Sequence, residues 1–265
     1  MDNAKIKKHL QIDKIIKSLR TKEIGKNLIY LESTDSTNRQ AALLGKKGNP
    51  NGTLVIADKQ TAGKGRLSRT WVSPAFANLY FSLLLRPPIS PQTASWMSLL
   101  GGVATAKNIQ GYTGLLPKIK WPNDVLINGK KVAGILTELH VEGNQIQYLI
   151  LGIGVNVNMS RFSSPISQTA TSLKKEAGQP VCRELFLTGL LQEIENELEL
   201  FYQKGHQMIS SEWKKFSDTL GKKVRVSQGG QILEGKAIDL DPHGGLILEK
   251  KDFTRITVMA GDIAP

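Results

Sequence analysis

Along residues 5–19, KIKKHLQIDKIIKSL, apolar side chains recur at Ile6, Leu10, Ile12, Ile15, Ile16 and Leu19. Spacing near the helical repeat predicts one amphipathic helix with a basic outer face. Residues 27–31 carry strand signal, and TDSTNRQAALLG after them reads as a short helix with Asp35, Ser36 and Thr37 as N-cap candidates and Gly45 as its C-cap. Residues 52–57 predict a strand, and NLYFSLLL from Asn78 another that Pro87 and Pro88 stop. Ser90 and Pro91 then open a helix to about Ile109, with Trp96, Leu99, Leu100, Val103 and Ala106 on its core face. In residues 119–158, Asn128-Gly129 stands between two apolar runs, which predicts a type I′ hairpin because both central residues need positive φ. A second turn at 142–144 leads into QIQYLILGIGVNVN, so three antiparallel strands follow one another. A long helix at about 182–203 ends at Gly205, and from Leu220 short β segments alternate with Gly-Gly and Pro-His-Gly-Gly turns, as in a small barrel.

The 265 residues suffice for one large domain and one small one. No apolar run approaches the roughly 18 residues of a membrane span, and MDNAKIKKHL lacks the apolar segment of a secretory signal, so a cytoplasmic protein is expected with no membrane partner. A single cysteine, Cys182, excludes an internal disulfide and a cysteine-rich zinc site. His9, His140, His206 and His243 have no metal-ligand spacing. Net charge is +12, which favours an anionic partner without choosing among nucleic acid, nucleotide and acidic protein. Residues 1–26 hold eight basic and three acidic side chains, a net of +5, so almost half of the excess sits in an N-terminal arm.

Two stretches hold candidate chemistry. No phosphate loop of the G-x-x-x-x-G-K-[ST] kind is present, and GIGVNV at 152–157 lacks the third glycine of a dinucleotide fingerprint and is not followed by helix signal. Gly63-Lys64-Gly65-Arg66 with Arg69 has the parts of an anion cradle, backbone N–H groups and guanidinium forks, although a loop of this composition standing alone is more often a solvated one. In KWPND at 120–124, Trp121-Pro122 is an extended dipeptide and Asn123-Asp124 sets an amide and a carboxylate just before a strand; the bland reading is a capped turn. Lys131 follows the hairpin, and Gly134 inside its strand signals close approach of another backbone or a ligand.

Taken together, DSTN at 35–38, QTAGKGRLSRTW at 60–71, KWPND at 120–124, KKVAGIL at 130–136 and GIGVNVN at 152–158 resemble, in order and spacing, the motifs of biotin protein ligases. The likeness runs over about residues 27–265 and includes a C-terminal segment similar to that family's SH3-like domain. It implies an α+β fold, a mixed or antiparallel sheet flanked by helices of the class II aminoacyl-tRNA-synthetase-like kind, plus a small C-terminal SH3-like β barrel. The implied division is a basic helix or arm at 1–26, a catalytic domain at 27–218 and the small domain at 219–265. The implied reaction joins biotin's carboxylate to the α-phosphate of Mg²⁺-bound ATP, giving biotinyl-5′-AMP and pyrophosphate, and then passes biotin to a lysine of a biotin carboxyl carrier protein of a biotin-dependent carboxylase. Residue by residue, the resemblance implies that Ser36, Thr37, Asn38 and Gln60 meet the ureido ring, and that Lys64, Gly65, Arg66, Lys131 and Gly134 complete the biotin site. Lys131, with Arg66, would carry catalysis by offsetting the repulsion of two anions. Arg66, Arg69, Trp71, Asn123, Asp124 and Asn156 would hold the nucleotide. Mg²⁺ would come with ATP, Asp124 being the nearest protein candidate for it. GKGRLSR would close as a lid over the adenylate, ordering when ligand arrives. Homodimers are common in the family.

Other functions remain to be weighed against this one. Regulatory members of the family carry a winged-helix DNA-binding domain of about 60 residues, and only about 26 residues precede the likeness, so a biotin-responsive repressor is the lesser expectation and no sequence-specific DNA binding is expected. The basic helix is expected to be docked or solvated. Lipoate ligases are the other alternative, against which KWPND, KKVAGIL and the C-terminal segment weigh.

The loop departs from the family at one position. Where the usual loop reads GRGR, this chain has Lys64, which keeps the charge and loses the planar fork. Replacing a bidentate contact by one hydrogen bond forfeits about 1–2 kcal/mol. Lys64→Arg is therefore expected to slow the release of biotinyl-5′-AMP in a stopped-flow chase; unchanged or faster release would remove this reading of Lys64.

Overall fold

The computed structural model describes residues 9–263. The hydrophobic runs between residues 28 and 155 become seven strands: β1 (Leu28–Thr34), β2 (Thr53–Gln60), β3 (Leu79–Leu85), β4 (Lys118–Lys120), β5 (Asp124–Ile127), β6 (Lys130–Glu142) and β7 (Gln145–Val155). They lie in the order β1-β2-β3-β7-β6-β5-β4. β1 and β2 run parallel, joined through helix α2 (Thr37–Lys46), and the other pairs are antiparallel. Asn128 and Gly129 both take positive φ, 50° and 73°, as a type I′ hairpin between β5 and β6 requires.

The two faces of this sheet are covered unequally. One face carries the main core, packed by α3 (Trp96–Thr113), which buries 12 of its 18 residues between the sheet, α5 (Arg183–Lys204) and α6 (His206–Phe216). A helix apolar on nearly every side belongs in such a central place. Gly101 of α3 sits against Ile135 and Leu151. On the other face α2 covers a smaller cluster of Ala41, Val55, Leu84, Tyr148 and Ile150 and leaves the remainder of β6 and β7 open. Helix α4 (Leu173–Ala177) follows the loop that leaves β7.

Three expectations change at helix ends. Gly45 is inside α2, not its C-cap: a Cβ there would come within 2.9 Å of the Tyr148 ring, and Gly48, at φ 79°, takes the left-handed turn beyond the helix. The helix expected over 5–19 is α1 (Ile12–Ser18), with residues 5–8 outside the described part. Leu10 is not helical because its N–H is drawn to the buried carboxylate of Asp58 at 3.2 Å, which also pairs with Arg183 at 2.9 Å and accepts from Tyr30 at 2.7 Å. The long central helix starts later than Ser90, after a separate turn at Pro91–Thr93.

The described part of the arm is docked. Leu10, Ile15, Leu19 and Ile24 are buried in the main core, and Glu195 of α5 accepts N–H bonds from Lys22, Glu23 and Ile24 at 2.6, 2.9 and 2.9 Å.

The C-terminal segments form a five-stranded antiparallel sheet of β8 (Lys223–Gln228), β9 (Gln231–Leu240), β10 (Leu246–Glu249), β11 (Arg255–Val258) and β12 (Asp262–Ile263), ordered β11-β10-β9-β8-β12. This is the small SH3-like β domain. Two indoles fasten it to the larger unit: Trp96 donates to Pro242 O at 2.9 Å and Trp121 to Gly244 O at 3.2 Å. The Trp121–Pro122 peptide is cis. No helix among the described residues is long and apolar enough to cross a membrane.

Candidate active site

The open part of the sheet is floored by glycine. Gly134 of β6 pairs directly with Gly154 of β7, and Leu136 with Gly152, so three glycines adjoin on one face because strand side chains alternate. The bare backbone is occupied from above. A Cβ at Gly154 would lie 2.5 Å from the Trp71 indole, one at Gly134 3.0 Å from the same ring, and one at Gly152 1.9 Å from Asn38 Oδ1. The close approach read from Gly134 in the sequence is therefore that of Trp71 and of Lys131, whose Nζ lies 5.2 Å from the Trp71 ring centroid.

At one end of this floor the start of α2 delivers Ser36, Thr37 and Asn38, all buried. Gln60, the last residue of β2, accepts from the Thr37 N–H at 2.8 Å and its hydroxyl at 3.1 Å, and donates to Ser73 at 3.0 Å. Asn38 is held on all sides: its Oδ1 accepts from Ser82 at 2.6 Å, and its Nδ2 donates to Leu136 O at 3.3 Å and Glu138 Oε2 at 2.7 Å. With both amide protons engaged, Asn38 shapes this end and leaves little capacity for a ligand. Ser36 occupies the N-cap position without a side-chain capping bond, so its hydroxyl stays available.

At the other end lie the cations. The loop from Gly63 to Trp71 is a closed hairpin: Gly65 N–H donates to Arg69 O at 2.7 Å, Trp71 N–H to Gly63 O at 2.9 Å, and Lys64 bridges Thr70. Leu67 and Ser68 turn it with φ of 51° and 60°. A loop expected to order on ligand arrival thus has its backbone bonds already made. Arg66 donates to Asn123 Oδ1 at 3.2 Å, and Asn123 in turn to Ile135 O at 2.8 Å. Each cation at the floor has an internal carboxylate. Lys131 Nζ is 2.5 Å from Asp124 Oδ1, while Arg66, at 3.6 Å, and Arg69 both reach Asp262, carried in from β12 of the small domain. Burial draws the Arg66 guanidinium below its ordinary value, and Asp262 and Asp124 oppose the shift. Asn156, also buried, receives a 3.4 Å bond from Asn78.

Every residue expected at the site from the sequence lines one cavity of about 230 Å³, from Ser36 at one end to Asn156 at the other. Lys64 and Arg69 line it as exposed residues of the loop. Ser82, the floor glycines 152 and 154 of β7, and Asp262 were missed. Glycines two apart in a β-prone run carry a readable signal, a bare strand face; for Asp262, some 130 residues beyond Lys131 in sequence, there is none. Among the described residues no group of three or more His, Cys, Asp and Glu side chains is placed to hold a metal ion.

Comparison with known proteins follows the same outline. Residues 30–156 match the Biotin/lipoate A/B protein ligase family, and residues 219–264 the Biotin protein ligase C terminal domain. The chain is 38% identical over 236 residues to the Bifunctional ligase/repressor BirA of Bacillus subtilis (strain 168), covering 88% of this chain and 73% of that protein. It is 32% identical over 258 residues to the Biotin--[acetyl-CoA-carboxylase] ligase of Mycobacterium tuberculosis, covering 93% of this chain and 94% of the relative. Among solved structures, the biotin protein ligase from Aquifex aeolicus in complex with biotin and ATP superposes with a TM-score of 0.79 at 31% identity, covering 90% of this chain and 98% of the other.

The floor makes a direct prediction. Gly152→Ala places a methyl group on Asn38 Oδ1 and should cost about 1–3 kcal/mol as overpacking, or displace Asn38. Titration calorimetry should then find biotin binding weakened by about tenfold or more, whereas Gly111→Ala on α3, where a Cβ meets nothing within 4 Å, should leave it unaltered. Equal biotin affinity in the Gly152 variant would mean that Asn38 does not shape the site.

Proposed function

The chain belongs to the biotin protein ligase family, and we propose which of its side chains serve each step of that chemistry. It is an ATP-dependent ligase that forms a C–N bond, making biotinyl-5′-AMP and attaching biotin to a lysine of a carboxyl carrier protein. The observation that carries the assignment is the line of the cavity: neutral hydrogen-bonding groups at the α2 end and cations at the loop end, on one glycine floor.

In this assignment the ureido ring lies at the α2 end, against the Ser36 hydroxyl and the free amide N–H of Gln60, with Thr37 and Asn38 fixing the shape of the pocket. The valeryl chain points toward Lys131 and Arg66. The carboxylate of biotin and the α-phosphate of ATP repel each other until cations stand between them. Lys131 and Arg66 would do this by exchanging their internal partners, Asp124 and Asp262, for ligand oxygens, which needs no new charge in the site. Arg69 would follow the phosphates. Trp71, whose indole N–H has no hydrogen-bond partner among the described residues, would stack on adenine, and Asn156 would bond to it. A carboxylate oxygen then attacks phosphorus, pyrophosphate leaves, and the acceptor amine later attacks the anhydride carbon with AMP as leaving group. No side chain forms a covalent bond; the rate comes from positioning and electrostatics.

Mg²⁺ fits this chain only as a companion of ATP. Asp124, a carboxylate of the cavity, would be the protein's contact with it and is held by Lys131, so no resident metal site is assigned. The partner in this assignment is a carboxyl carrier protein of a biotin-dependent carboxylase. No sequence-specific DNA contact is assigned to residues 9–263, and the cytoplasm is the compartment in which ATP and such carriers would be met.

Because the matching family spans biotin and lipoate ligases, lipoate is the comparison substrate. Labelled pyrophosphate should exchange into ATP with biotin and not with lipoate, and Lys131→Ala should lower the exchange by roughly 10²–10³-fold. Absence of exchange with biotin would contradict the assignment.

A further inference from the structure

The cations that favour adenylate formation oppose the second substrate. An acceptor lysine carries its proton at neutral pH, with an ordinary pKa of about 10.4, and one entering by the groove outside the loop would pass Lys64, Arg66 and Arg69, which line it. Carboxylates near that path are few. Asp124, paired with Lys131, and Asp262, paired with Arg66 and Arg69, line the inner cavity and not the outer groove.

Glu138 differs from both. It stands on the β6 face that carries Gly134 and Leu136, because residues two apart on a strand share a face. It lines the outer groove beside Leu136, opposite the loop cations. Its hydrogen-bond partner is the Asn38 amide at 2.7 Å, a neutral group that fixes the carboxylate without cancelling its charge. Among the described residues no cation forms an ion pair with it. A half-buried carboxylate, held in place and left uncompensated at the rim of a cationic site, is complementary to one charged species of this reaction, the ammonium of the acceptor.

We propose that Glu138 is the docking group for the acceptor lysine: it draws the protonated side chain of the carrier protein into the groove beside the loop and offsets the repulsion of Lys64, Arg66 and Arg69. The inference rests on the ligase reading. Glu138 lies about 13 Å along the strand from Gly134, so its role is attraction and orientation at the entrance; no proton transfer is assigned to it.

The test separates the two half-reactions. Glu138→Gln keeps an oxygen that can accept from Asn38 and removes the charge. Biotin-dependent pyrophosphate exchange should stay within about twofold of the unaltered chain, while single-turnover transfer from enzyme-bound biotinyl-5′-AMP to a biotin carboxyl carrier domain should lose about tenfold in kcat/KM, chiefly through KM. Cleavage of the same adenylate by hydroxylamine, a neutral nucleophile at pH 7, should not change. The difference between the two proteins with the carrier should shrink as salt is raised, which a merely structural role would not produce. An unchanged KM for the carrier, or an equal loss with carrier and hydroxylamine, would overturn the proposal. No exchange in the unaltered chain would instead remove the ligase reading, and this inference with it.

Discussion

Three glycines without side chains on adjoining strands are the constraint on which the site depends. At Gly134, Gly152 and Gly154 the sheet offers backbone where any larger residue would fill the space, and the indole of Trp71 and the amide of Asn38 lie directly on it. The height of the floor sets the rest. Asn38 fixes where α2 begins, and Ser82, one strand over and paired with Gly152, supplies the hydroxyl that holds it. Trp71 fixes where the loop ends, and with it the reach of Arg66 and Arg69. The opposite face of the same strands is full of Leu, Ile and Val packed on α3, so the floor cannot yield toward the core.

Electrostatics is arranged in the same economical manner. A site that must bring together a carboxylate and a triphosphate needs several cations close to one another, and such a cluster repels itself. Asp124 and Asp262 relieve that repulsion. Asp262 also ties the small domain to the loop. Trp96 and Trp121, each bonded to a carbonyl of the 242–244 turn, hold that sheet where Asp262 can reach.

Local features were legible in the sequence because local physics decides them. The Asn128-Gly129 turn, the end of α5 at Gly205 and the strand that stops before Pro87 follow from φ preferences and missing donors. The motifs also placed every expected site residue around one cavity, since they lie on strand ends and a helix start that the sheet gathers together. What could not be read depends on contacts far apart in the chain. Gly45 resembles a helix stop until Tyr148, a hundred residues on, is seen packed against it. Leu10 continues a helical pattern, yet Asp58 captures its N–H. The engagement of Asn38 with Glu138 and the arrival of Asp262 from the last strand need the tertiary fold itself.

The central claim is that two anions, held together by Lys131 and Arg66, react directly with no bond to the protein. Transfer with biotin labelled with heavy oxygen in its carboxylate tests it most directly, by mass spectrometry of the AMP released when the carrier is biotinylated. AMP should contain one labelled oxygen, the atom that bridged carbon and phosphorus. AMP free of label, with biotin attached to the carrier all the same, would contradict the account.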